Sequence, residues 1–244
     1  MERDELAAWL RLALAPGVGN GLARRLLAAF GLPQQLFEQP AAAIEQIARG
    51  QAKSLQSLPP ELPAQVEATW AWLQSPQTAP RRILTLADPA YPPGLLQTED
   101  PPLLLYIIGE LPPAWPRAIA VVGSRNPTPQ GLANSRNFAR TFAQAGFTVV
   151  SGMALGIDGA AHEGALDGAP PGQTATIAVV GTGLDRVYPR QHLALSHEIA
   201  RRGLIVSEYP LGTPPLAANF PRRNRIIAAL SEGTVVVEAA LQSG

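Results

Sequence analysis

The 244-residue chain has no cysteine, so disulfides and thiolate metal sites are excluded. It has little lysine: Lys53 stands alone, and every basic residue from Arg117 onward is arginine. No apolar run approaches the ~18 residues a membrane-spanning helix needs, so no membrane partner is expected. The opening stretch, MERDELAAWLRLALAPG, mixes acids with arginines, where a secretory signal would join a basic start to an apolar core. A cytoplasmic protein is the expectation. Net charge is also missing: 19 Lys and Arg balance 19 Asp and Glu. This counts weakly against a nucleic-acid binder, but the balance is not uniform. Residues 1–116 hold 8 basic and 11 acidic residues, whereas residues 117–244 hold 11 arginines against 8 acids. Arginine is the cation suited to forked contacts with phosphate.

Two nucleotide signatures are absent as well. No loop reads G-x-G-x-x-G, and Val149-Val150-Ser151 ends an apolar run without an acid for a ribose. There is no Walker A loop. NAD and FAD are therefore not expected, nor is any other cofactor. Nothing resembles a nucleophile triad or a metal cage.

The composition that remains, 46% hydrophobic and 16% charged, suffices for a buried core. Residues 1–75 read as short helices. Leu6, Trp9, Leu10, Leu12 and Leu14 form one stripe, and Leu22, Leu26, Leu27 and Phe30 a second. Helices are also expected over Ala41–Ala48 and Pro63–Leu73. Between the first two stripes, Pro16-Gly17-Val18-Gly19 reads as a helix-hairpin-helix turn whose N–H groups could touch a phosphate, or as a plain connection. Residues 76–82 read as a linker. From there, Ile83–Leu86 and Leu103–Ile108 suggest edge strands broken by prolines.

Beyond Arg117 the rhythm is strand, helix, strand. Apolar runs at Ala118–Val122, Phe147–Val150, Thr176–Val180, Leu204–Val206 and Thr234–Val237 alternate with helical stretches at 130–145, 157–166, 192–202 and 219–230. Leu193, Leu195 and Ile199 are read as a core stripe. Such alternation predicts a mostly parallel, doubly wound sheet covered on both faces, an α/β Rossmann-like domain over residues 83–244 after the small all-helical domain. The chain stops soon after the last strand, where a doubly wound sheet would continue, so a truncated molecule is the expectation.

Ligands of such sheets bind at the carboxyl ends of the strands. Three glycine-containing loops fall there: Gly123-Ser124-Arg125, Ser151 through Asp158 with Gly152 and Gly156, and Gly181-Thr182-Gly183. Each could serve a tight turn or let a ligand approach the backbone, and three on one edge favour a ligand. The helix start Phe220-Pro221-Arg222-Arg223-Asn224-Arg225 joins an aromatic face to arginine forks. It could be a solvated helix end with salt bridges. Positive charge at a helix N-terminus opposes the macrodipole, however, which favours a bound anion. His162 is read as a packed helix residue rather than a catalyst.

These motifs resemble, in order, those of the DprA/Smf family of bacterial DNA-processing proteins. The likeness runs from Tyr91-Pro92 and Asp100-Pro101-Pro102, through Gly123-Ser124-Arg125, Ser151–Asp158 with His162, Tyr188-Pro189 and Ser207–Pro210, to Phe220–Ile227 and Ser243-Gly244. Residues 1–75 look like the family's helical, sterile-alpha-motif-like domain. One departure is Gln191-His192, where the family usually has asparagine. The resemblance implies a homodimer that binds single-stranded DNA, protects it, and helps load RecA in natural transformation, without turnover. It implies that Arg125 clamps a phosphate and Phe220 stacks on a base. It further implies that Arg223, Asn224 and Arg225 form the pocket floor, that Gly152 and Gly183 admit the backbone, and that Ser243 closes the far side. An alternative is a Rossmann-like nucleotide phosphoribohydrolase. Those enzymes carry a Pro-Gly-Gly-x-Gly-Thr loop before a catalytic glutamate, and Ser231-Glu232-Gly233-Thr234 with Glu238 lacks the paired glycines.

Overall fold

The computed structural model describes residues 1–76 and 78–239. Two compact units divide the chain: Met1–Pro76 with Ile83–Leu105, and Gln77–Arg82 with Tyr106–Gly244.

The first unit is mainly helical: α1 (Arg3–Leu14), α2 (Asn20–Phe30), α3 (Pro33–Phe37), α4 (Ala41–Ala48), α5 (Ala52–Gln56) and α6 (Leu62–Gln74). The expected stripe on α1 buries Leu6, Trp9, Leu10 and Leu12. Arg11 shares that helix but reaches the last turn of α5, donating to the carbonyls of Leu55 (2.8 Å) and Gln56 (3.3 Å) and lying over the Phe37 ring. A cation there satisfies carbonyls that the helix cannot. In the turn between α1 and α2, Gly17 has φ +75° and Gln51 packs where a side chain would stand. A short helix α7 (Pro93–Leu96) belongs to the same unit, and Tyr91 donates its hydroxyl to the Pro102 carbonyl at 2.7 Å.

The sheet strands are β1 (Arg81–Thr85), β2 (Leu104–Ile108), β3 (Ala118–Gly123), β4 (Thr148–Ser151), β5 (Thr176–Val179), β6 (Leu204–Ser207) and β7 (Gly233–Val237). Their order is β1-β2-β6-β5-β4-β3-β7. Strands β3 to β7 run parallel, and β2 is antiparallel to β6 with Tyr106 opposite Ser207. The sheet is α/β and mostly parallel, as the alternation predicted. It follows from runs such as Ala118–Val121 and Thr176–Val179, whose residues are apolar on both faces because helices cover both.

The helices of this unit are α8 (Pro129–Gln144), α9 (Ile157–Gly168), α10 (Leu193–Arg202) and α11 (Asn219–Ala229). Helices α8 and α9 lie backbone to backbone: a side chain at Gly164 or Gly168 would strike the Arg136 or Arg140 backbone. Small residues, Ala139, Ala143, Ala161 and Ala165, fill the seam over Val121 and Val149. Pairs Arg136–Glu163 and Arg140–Asp167 flank it. The core stripe expected on α10 needs correction. Ile199 is fully buried but Leu193 is 50% exposed, since it opens the helix at a groove rim instead of facing the sheet.

Candidate nucleic-acid interface

The strand order reverses between β3 and β7, and in open α/β sheets a ligand normally enters at such a reversal. Here the chain fills that place with its own groups. The N-cap of α8 is Thr128, whose hydroxyl accepts from the Gly131 N–H at 3.1 Å. The Glu238 carboxylate, just past β7, accepts from the Thr128 N–H at 2.7 Å and from the Thr128 hydroxyl. These bonds hold the Glu238 carboxyl below its ordinary range. Next to it, Ser124 donates its N–H to the Val237 carbonyl (3.3 Å), and its hydroxyl accepts from the Asn126 N–H (3.1 Å). The Ser124 carbonyl accepts the first N–H of α9, from Ile157, at 3.1 Å. The backbone N–H groups of Ser124, Thr128 and Ile157 are thus engaged within the protein.

The expected glycines have neighbours of their own. A side chain at Gly123 would meet the Val237 carbonyl, and one at Gly183 the Pro210–Leu211 backbone. Gly156, with φ +82°, packs against the Ser124 carbonyl and Pro127. Gly152 leaves the space that the Arg223 guanidinium takes. Ser151 is buried and donates to the Val121 carbonyl at 2.6 Å.

An open pocket of about 280 Å³ lies over the carboxyl ends of β3, β4 and β5. Arg125 and Asn126 wall it after β3, Met153 to Leu155 after β4, and Val180 to Thr182 after β5. Tyr188, Phe220 and Arg223 complete it. The Tyr188 and Phe220 rings stand 5.8 Å apart, tilted by 33°, and the Arg125 guanidinium lies 5.5 Å from the Phe220 ring centre. Arg125 is exposed and Phe220 half-buried. Tyr188 is joined to Pro189 by a cis peptide bond.

Beneath this rim the chemistry changes. Arg223 is 6% exposed; it donates to the Val179 carbonyl, to Asp158 at 3.4 Å and to the Asn224 side chain at 3.2 Å. Burial pushes Asp158 up, while Arg223, the Ala154 N–H and Arg125 pull it back. Burial lowers Arg223 in turn, against the pull of Asp158. Unpaired, neither charge could be held there. His162 lies fully buried alongside, between the Thr176 hydroxyl (2.7 Å) and the Gly152 carbonyl. Burial pushes it down to about 4, so it is neutral. A carbonyl can only accept, so the proton sits on Nε2 and the Thr176 hydroxyl faces Nδ1. His162 is therefore a buttress for the Gly152 loop.

The arginine cluster is split by its helix. Asn219, Arg223, Ile226 and Ile227 form the buried face of α11. Arg225 is paired with Glu208, while Arg222 and Asn224 are exposed. Of the residues expected at the site, Arg125, Phe220 and Arg223 share the pocket, and Gly152 sits against Arg223. Ser243 lies outside the described residues. Tyr188 and Asp158 join the site beyond the residues expected there; the sequence signals for them are the Tyr188-Pro189 pair and the Asp158–His162 spacing of four. Among the described residues no three acids, histidines or cysteines lie together as metal ligands, and no helix is long and apolar enough to cross a membrane.

The family model for DNA recombination-mediator protein A matches residues 82–244. The chain belongs to that family. It is 44% identical over 180 residues to Protein Smf of Escherichia coli, covering 73% of this chain and 46% of that protein. The crystal structure of DNA processing protein A from Streptococcus pneumoniae matches all of this chain and 80% of its own, at a TM-score of 0.73 and 31% identity. The Helicobacter pylori counterpart, described for its single-stranded DNA binding mode, matches 66% of this chain and 72% of its own at a TM-score of 0.58 and 34% identity. The chain spans roughly half the length of the curated relatives it matches.

Proposed function

We propose that residues 83–244 bind single-stranded DNA with little regard to sequence, and that the protein is a recombination mediator in the cytoplasm. It would protect incoming strands and, as a homodimer, help load RecA during natural transformation. The observation that carries this reading is the rim of the pocket: two tilted aromatic rings and an exposed arginine above a buried, internally paired one. Aromatic faces stack on any base, and a cation beside them holds the phosphate. A duplex keeps its bases stacked inward and offers the rings nothing. The single-stranded DNA binding of the Helicobacter pylori relative supports this choice of ligand.

The test is binding of labelled single- and double-stranded oligonucleotides across a salt series. Preference for the single strand, weakening as salt rises, is expected because phosphate contacts release counterions. Equal affinity for duplex, or binding to neither, would overturn the reading. Release of free base from nucleoside monophosphates would point to a phosphoribohydrolase instead.

A further inference from the structure

We infer that a second, arginine-rimmed groove beside the aromatic pocket takes the phosphates of the same strand as it leaves the pocket; this rests on the single-stranded DNA reading above. The groove encloses about 760 Å³. Its floor includes Ile108 and Ile205, which face each other across the β2–β6 pair. Its rim carries Arg81, Arg186, Arg190 and Arg201. Asp185 faces Arg186 at 2.8 Å, and Glu198 pairs with Arg201. His197 also lines it.

One loop walls both cavities. Tyr188 and Pro189 face the pocket, whereas Arg186, Val187 and Arg190 face the groove. A strand whose base lies against Tyr188 and Phe220 therefore has cations on both sides: Arg125 within the pocket, Arg186 and Arg190 past the loop. Among its described lining residues the groove has no Phe, Tyr or Trp, so it would hold backbone rather than bases. Its arginines supply forked donors that suit phosphate oxygens. The division predicts a footprint longer than the pocket alone.

The experiment compares the intact chain with the double variant Arg186→Ala/Arg190→Ala on labelled oligothymidylates, from about 4 to about 16 nucleotides, the span of known single-strand sites. The shortest should bind both proteins equally. Longer ones should bind the natural chain more tightly, and the variant should lose that gain. Its salt slope on the longest oligomer should be shallower by about 0.7 for each phosphate contact removed. Arg186→Lys/Arg190→Lys should keep most of the slope, since it keeps the charges. Equal loss at every length overturns the groove, because the arginines would then serve the pocket or the fold. An unchanged length dependence also overturns it, as does a polyglutamate probe that binds the natural chain, is lost from the Arg186→Ala/Arg190→Ala variant and is not displaced by the single-stranded oligonucleotide, the pattern of an acidic-peptide groove. Failure of the natural chain to bind any single strand is a different result, and removes the pocket reading itself.

Discussion

Two places at the carboxyl edge of one sheet have opposite fates. At the reversal between β3 and β7, where this architecture usually admits a ligand, Glu238 caps the start of α8 and the loop backbones bond to one another. Over β3, β4 and β5, on the other side of β3, the rim is left open and lined by Tyr188, Phe220 and Arg125. The contrast shows how a nucleotide fold can be turned to a polymer. Backbone N–H groups that would cradle a single phosphate are used internally, and recognition passes to side chains that stack and pair.

Substitutions on either side should separate the two. The largest effect is expected for Arg223→Ala, which strips the partner from a buried Asp158. Breaking a buried pair typically costs about 3–5 kcal/mol. Chemical denaturation should show that loss, and Asp158→Asn, which leaves the Arg223 guanidinium buried without its counter-charge, should cost at least as much.

Next comes pH. The folded state holds His162 at about 4, below its ordinary 6.5, so the unfolded chain takes up a proton first. Stability from this group is full above about 6.5 and drains away as pH falls toward 4, by roughly 3 kcal/mol in total. Asp158, pushed up by burial, works in the opposite sense. Comparison with His162→Gln in denaturation midpoints between pH 7 and 4 isolates the histidine: the variant should show the flatter profile.

Smaller effects should fall on binding alone. Phe220→Ala should weaken single-strand binding by about 1–3 kcal/mol, the range for loss of one stacked base. Arg125→Ala should do likewise and also reduce the salt slope, with the melting temperature of each variant near that of the natural chain. The smallest effect is expected for Glu238→Gln, which should lower the melting temperature slightly through the α8 cap and leave DNA affinity unchanged.

The sheet was legible in the sequence because its strands are short, β-branched and apolar on both faces, a pattern set by local composition. All five parallel strands lie within a residue or so of the expected runs. The short helices α3 and α5 are not legible in the sequence, since five residues carry no periodicity. The site was legible only in pieces. Its arginine-rich helix start stands out, but the partners that divide it come from elsewhere in the chain, Asp158 from the first turn of α9 and Glu208 from just after β6. The cost of positive charge at this helix start needs no external anion at two of the three arginines, because Asp158 and Glu208 supply internal ones. The buried position of Arg223 did have a local sign, its place on the stripe of Asn219, Ile226 and Ile227. The pairing of Tyr188 with Phe220 had none, because residues 32 positions apart meet only through the fold.

The most direct measurement sets Phe220→Ala beside Glu238→Gln in fluorescence anisotropy with a labelled single-stranded oligonucleotide. Loss of affinity for the first and none for the second is the predicted result. Affinity that survives loss of the ring but changes with Glu238 would place the DNA at the β3–β7 reversal and contradict the account.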